Sequence, residues 1–196
     1  MDHSLKIGCV VMAAGLSSRF GRNKLLAEFS GANLASRTLD AVPTDKLERI
    51  IVVSSSPEIQ ALAETKGFEP VPNDRPEDGV SLTIRLGLQK LQDMDAALFM
   101  VCDQPMLTRA SVSATVDFYK KYPDNIISMS FAGERGSPCI FPSAFFPELM
   151  ALEGDVGGGV IIRKHEERLL LFEVSGASEL KDVDYPSDMD ESLWNT

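Results

Sequence analysis

The chain has 196 residues, 44% hydrophobic and 24% charged, a globular composition that excludes collagen, a coiled coil and wholesale disorder. Its formal charge of -10 argues against a general basic face for nucleic acid but leaves room for a local anion site. Cys9, Cys102 and Cys139 stand in separate apolar runs with no CxxC pair, as small buried hydrophobes in a reducing compartment do.

In chain order, the polar start Met1 to Lys6 leads into an apolar run from Ile7 to Leu16. The run is too short to span a bilayer and lacks a signal peptide's cleavage pattern, so a cytoplasmic protein without a membrane partner is expected. Ile7 to Ala13 is unbroken and β-branched, the mark of a strand buried on both faces. A Gly/Ser loop, Ala14 to Asn23, follows, then a helix over Leu34 to Val42 ended by Pro43. Arg49 to Ser54 reads as a second buried strand, Pro57 to Lys66 as a helix closed by Gly67, and Phe68 to Val71 as a short strand. The spacing of Val80, Ile84, Leu88 and Leu91 predicts an amphipathic helix over Gly79 to Gln92. Ala96 to Val101 is a third buried strand, and Thr108 caps a helix to about Lys121 with Val112, Val116 and Tyr119 inward. Further on, strands are expected at Ile126 to Phe131 and Pro138 to Phe141 around a loop Ala132 to Ser137. Helices over Ser143 to Leu152 and Val160 to Glu166 and a strand over Leu169 to Val174 complete the pattern. Alternating strands and helices predict an α/β fold with right-handed crossovers. Repeats, low-complexity tracts and linkers are absent, so residues 1–196 are expected to form one domain.

The chemistry-bearing residues follow strand ends. From His3 to Ala27 there is no acidic residue, while Lys6, Arg19, Arg22 and Lys24 all fall there. Gly15 and Gly21 let a backbone turn and approach a ligand, Ser17 and Ser18 offer hydroxyls, and Arg19 and Lys24 supply charge for a triphosphate cradle. Leu25 after Lys24 excludes a Walker A loop, and no GxGxxG is present. Asp103, in Cys102-Asp103-Gln104-Pro105 at a strand end, is either a hard-oxygen ligand for Mg²⁺ or a cap for the next turn. Asp182 and Asp184 share a face of an extended segment, either near the metal or solvated. Gly154 to Gly159 reads as a helix entry loop. His3 and His165 have no Cys or His partner for a metal, and hydrolase motifs are missing.

In order, these segments resemble the nucleotidyltransferases that charge molybdopterin, and specifically the molybdenum cofactor cytidylyltransferase group of the MobA-like family. The pattern AAG-x-S-x-R-x-G-x-x-K is matched by Ala13, Ala14, Gly15, Ser17, Arg19, Gly21 and Lys24. A glycine-led helix start is matched by Asp78-Gly79 through Thr83, Ile84, Arg85 and Gly87, and the D-x-P turn by Asp103 to Pro105. Gly136-Ser137-Pro138, Gly154-Asp155-Val156-Gly157 and the closing Asp182, Asp184, Pro186 and Asp188 complete the series. The resemblance implies a three-layer, Rossmann-like α/β fold of the nucleotide-diphospho-sugar transferase type, a mainly parallel sheet with helices on both faces. It implies that molybdopterin's terminal phosphate attacks the α-phosphorus of CTP, with Mg²⁺ as cofactor.

Under the resemblance Arg19, Lys24 and Asp103 are catalytic. Ala13, Ala14, Gly15, Ser17, Arg19, Lys24 and Asp103 hold the nucleotide, with Ser54, Asn73 and Thr83 at its base. Asp103 and Asp184 hold the metal. Gly136, Ser137, Pro138, Gly154, Asp155 and Gly157 meet the acceptor. Gly158-Gly159 stands where relatives often carry an arginine, which leaves Arg163 or Lys164 as substitutes. A recipient molybdoenzyme or its chaperone is the implied partner. Guanylyl relatives tend to show AGG where this chain has Ala13-Ala14-Gly15, and the second alanine leans towards CTP. A GTP-dependent guanylyltransferase, a sugar- or polyol-phosphate nucleotidyltransferase and a non-enzymatic molybdopterin-binding chaperone stay open as alternatives.

Overall fold

In the computed structural model, which describes residues 5–16, 20–21 and 23–194, the apolar runs become strands in the expected places. They are β1 (Ile7–Ala13), β4 (Arg49–Ser54), β5 (Glu69–Pro72), β6 (Ala96–Val101), β7 (Ile126–Phe131), β8 (Glu134–Pro142) and β9 (Leu169–Glu173). Between β1 and β4 lies a small hairpin, β2 (Glu28–Phe29) with β3 (Ala32–Asn33). The helices are α1 (Leu34–Asp40), α2 (Pro57–Thr65), α3 (Val80–Gln89), α4 (Arg109–Lys121), α5 (Phe146–Met150) and α6 (Gly159–Lys164).

Among the described residues the main sheet has seven strands in the order β5-β4-β1-β6-β8-β7-β9. Strand β8 runs antiparallel to both neighbours, and the other pairings are parallel. The central strands β1 and β6 are buried on both faces because helices cover both. Ile7, Cys9, Val11 and Ala13 of β1 join one core with Leu39, Ile59, Val112 and Val116. Val10, one step out of phase, joins the other core with Ile84, Leu88, Leu149 and Ile161. That alternation is the two-residue period of an extended strand. Helix α3 rides close on β1, since a Cβ on Gly87 would collide with the Val10 side chain. Burial pushes all three cysteine thiols up, as small core hydrophobes require.

Two expectations need correction. The loop expected over Ala132 to Ser137 shrinks to a tight turn at Ala132 (φ 51°) and Gly133 (φ 80°), and β8 begins at Glu134. Its first half escaped the apolar pattern because it extends past β6 and pairs with β7 alone, Ser130 with Arg135 and Phe131 with Glu134. The helix expected over Ser143 to Leu152 is instead a 3-10 turn, Ser143–Phe145, followed by the short α5, with a proline in its first turn. Similarly α6 stops at Lys164, and a second 3-10 turn, Glu166–Arg168, leads into β9. Among the described residues no helix is long and apolar enough to cross a membrane.

A third, smaller core joins Phe20, Ala27, Phe29 and Leu34 to Val183 and Trp194. Trp194 packs edge-on to Phe29 at 5.4 Å between centroids, and Lys181 lies over the indole at 4.4 Å. This cluster folds the chain around residues 181–194 back over the hairpin, beside the carboxyl ends of β1 and β6.

Candidate functional site

From β1 the chain moves outward to β4 and β5, then returns to the other side of β1 as β6. Such a reversal opens a crevice at the carboxyl ends of the two central strands, where ligands of open α/β sheets bind. A cleft of about 440 Å³ lies there. Ala14, Gly15, Leu16 and Lys24 line it with Asp103, and Gly79, Val80 and Thr83 line it with Asp155. Ser17, Ser18, Arg19 and Arg22, and with them the expectations placed on Ser17 and Arg19, lie outside the described residues.

Lys24 and Asp103, 79 positions apart, meet directly. Lys24 Nζ donates to Asp103 Oδ2 at 2.7 Å and to the Val183 carbonyl at 2.6 Å, and lies 3.6 Å from Asp184 Oδ1. The Asn23 side chain accepts from Leu25 N and so starts the turn that aims Lys24 inward. Both charged side chains are largely covered, Lys24 13% and Asp103 21% exposed. The ammonium's first partners are thus protein oxygens rather than open space in the cleft. Among the described residues, Asp103 Oδ1 is buried and has no hydrogen-bond partner. A buried carboxylate oxygen without a partner is costly, and a hard cation is the natural group to relieve it.

The C-terminal segment is fixed alongside. Val183 N donates to the Asp103 carbonyl at 2.9 Å, and buried Gln104 donates from Nε2 to the Leu180 carbonyl at 3.1 Å. Asp182 keeps solvent-exposed surface, yet its carboxyl is crowded by protein atoms. Desolvation first, and then the charges of Asp103 and Asp184, push it up to about 6 against the pull of Gln104 and Lys24. Among the described residues no set of three or more His, Cys, Asp or Glu forms a closed metal cage. What is present suits an ion held by one or two carboxylates and completed by ligand oxygens and water.

Ser54 and Asn73 lie behind the cleft rather than in it. Ser54 is fully buried, donates to the Ala13 carbonyl at 2.9 Å and accepts from Ser56 N at 3.1 Å. Asn73, 1% exposed, donates to Thr83 Oγ1 at 3.1 Å and accepts from Arg75 N at 3.0 Å. Their polar groups are used in tying strand ends together. Of this trio it is Thr83 that lines the cleft.

The residues expected around the acceptor separate into two groups. Asp155 lines the first cleft and accepts from Val80 N at 3.3 Å, capping α3. Gly154 accepts from Ser81 N at 3.3 Å, so the two turns interlock. Gly79 is required at that junction: its φ is 86°, and a Cβ would sit 2.5 Å from the backbone of Gly154 and Asp155. Gly157 packs near Val80, and neither it nor Gly154 borders the cleft. Gly136 and Ser137 instead line a second cavity of about 180 Å³, together with Arg135, Gly158 and Gly159. Pro138 is buried beneath them. Met12 and Val101 border both cavities, so the two adjoin. Ser137 Oγ accepts from Val101 N at 3.4 Å at that border.

Pro76 and Glu77 line the first cleft although no motif points to them, and Arg135 adjoins the Gly136-Ser137-Pro138 segment expected at the acceptor.

The family model for the MobA-like NTP transferase domain matches residues 9–169. The chain is 26% identical over 193 residues to the purine catabolism protein PucB of Bacillus subtilis, covering 92% of this chain and 93% of that protein. It is 30% identical over 121 residues to a probable molybdenum cofactor guanylyltransferase of Bacillus cereus, covering 60% and 59% of the two chains. Among solved structures, Rv0371c of Mycobacterium tuberculosis superimposes with a TM-score of 0.81 at 23% identity, covering 98% of this chain and 100% of that one. A complex of Rv0371c with manganese superimposes at 0.79, with 22% identity and coverage of 97% and 100%.

Proposed function

The chain belongs to the MobA-like NTP transferase family and is a nucleotidyltransferase, and from that premise we propose that it transfers CMP from CTP to the terminal phosphate of molybdopterin. The observation that carries this reading is Asp103, its Oδ2 bound by Lys24 and its buried Oδ1 without a partner among the described residues, beside a cleft of about 440 Å³.

A phosphate oxygen of the acceptor attacks the α-phosphorus, a new P–O bond forms, the α–β bridging bond breaks, and pyrophosphate leaves. The attacking group is already ionised, so the protein's work is positioning and charge neutralisation. The Gly15 backbone and Arg19 cradle the β- and γ-phosphates. Lys24 spends two donors on Asp103 and Val183 and offers its third to the leaving pyrophosphate. Thr83 and the start of α3 face the nucleoside, with Ser54 and Asn73 holding that wall from behind. Asp103 Oδ1, with Asp184 at its side, would hold Mg²⁺, which when bound neutralises phosphate charge. The manganese complex of Rv0371c supports a divalent ion in this fold. Gly136 and Ser137 border the acceptor.

GTP is the second reading, favoured by the Bacillus cereus relative named as a guanylyltransferase. Pyrophosphate release with molybdopterin and either nucleotide tests both. Turnover with CTP at least about tenfold above GTP is expected, and the reverse ratio selects the guanylyl reading. Lys24→Ala and Asp103→Ala should each lower turnover by about 100-fold or more while keeping the fold by circular dichroism. Retained turnover in both contradicts the assigned roles.

A further inference from the structure

The acceptor side of this reading still lacks a group to hold the acceptor's phosphate, and Gly158-Gly159 lines its cavity without a side chain. The structure explains why a side chain is unwelcome there. A Cβ on Gly158 would lie 2.9 Å from Phe141 Cζ, inside the packing of the second cavity. Beside it, a Cβ on Gly159 would meet no wall but two guanidinium groups, Arg135 Nη1 and Nη2 and Arg163 Nη1, each at 3.7 Å. The two cations therefore stand less than twice that distance apart, one from β8 and one from α6, over a gap that two glycines leave open.

Neither arginine forms an ion pair with a carboxylate among the described residues, although this chain carries 29 acidic side chains. Two guanidiniums brought together without a counter-charge repel, and their forked donors fit the oxygens of a phosphate. Below them the cavity is apolar, with Phe99 edge-to-face on Phe141 at 5.9 Å. Its volume of about 180 Å³ has room for one ring system. Met12 and Val101 line both it and the cleft that holds Asp103.

We infer that Arg135 and Arg163 clasp the acceptor's phosphate ester across Gly158-Gly159 while a flat ring system rests on the aromatic floor. This rests on the acceptor assignment above and names the residues that choose a phosphorylated acceptor over its free alcohol.

The probes are 6-hydroxymethylpterin and its phosphate monoester, titrated against the full chain by pterin fluorescence. The wild type should bind the monoester about tenfold more tightly than the alcohol. Arg135→Gln and Arg163→Gln should each cut that preference to about threefold or less, and the double variant should abolish it. Affinity for the alcohol and for CTP should stay within about twofold throughout, since these charges meet the phosphate of the acceptor alone. If the double variant binds pterins but keeps the full preference, or the wild type shows none, the clasp is wrong and the acceptor assignment stands. If the wild type binds neither pterin while still binding CTP, the acceptor assignment falls and the clasp with it.

Discussion

The two oxygens of Asp103 have different surroundings, and that asymmetry organises the site. Oδ2 is neutralised by Lys24, while Oδ1 is buried without a partner among the described residues, so the carboxylate is both anchored and unsatisfied. These two residues were legible in the sequence because each follows a buried strand within a short motif. Ser54 and Asn73 were less so, since a polar residue at a strand end reads the same whether it serves a ligand or the backbone. Replacement separates the cases. Ser54→Ala should cost about 1–3 kcal/mol in urea unfolding, through loss of its bonds to Ala13 and Ser56, and leave CTP affinity within about twofold. A large loss of CTP affinity at unchanged stability would return Ser54 to the base. Gly79→Ala should cost about 2 kcal/mol or more, because its φ of 86° and the 2.5 Å approach to Gly154 and Asp155 both exclude a Cβ. Equal unfolding midpoints for variant and wild type would contradict that account.

At the scale of elements, β1, β4 and β6 were readable because strands buried on both faces are continuous in the sequence. Of β8, the half over Pro138 to Phe141 was readable and its start was not, since Glu134 and Arg135 pair with β7 alone and need no apolar pattern. That half-strand carries Arg135, which meets Arg163 beside Gly159 on the rim of the second cavity. Helix α6, on the other side of the rim, is tied to α5 by Glu148. Lys164 Nζ donates to Glu148 Oε2 at 2.7 Å, and His165 Nε2 lies 2.8 Å from Oε1. Lys164 foremost, with His165, holds the Glu148 carboxyl below its ordinary range. A lowered carboxylate value stabilises above the unfolded value of about 4.3 and is lost as pH falls through the folded one. Thermal unfolding of Glu148→Gln and wild type should therefore differ at pH 6, and the gap should narrow as pH falls below about 4.3. A gap that widens on acidification would reverse the sign and remove the link.

Across the whole molecule, the C-terminal segment completes the site by lying over the hairpin and bringing Asp182 to Asp184 against Asp103 and Lys24. No local pattern shows such a placement, which depends on Trp194 meeting Phe29 from 165 positions away. Trp194→Ala should cost about 3 kcal/mol in urea unfolding and raise the Mn²⁺ concentration needed for half-maximal turnover. An unchanged metal requirement would detach the segment from the site. We propose that residues 1–196 fold as one domain, for which a single cooperative urea transition is expected and two separated ones would be contrary. The most direct measurement is anomalous scattering from manganese in crystals grown with a non-hydrolysable CTP analogue. The account predicts a manganese peak at Asp103 with the triphosphate in the cleft beside Gly15 and Lys24. Nucleotide bound elsewhere, or a cleft holding nucleotide with no manganese at Asp103, would contradict it.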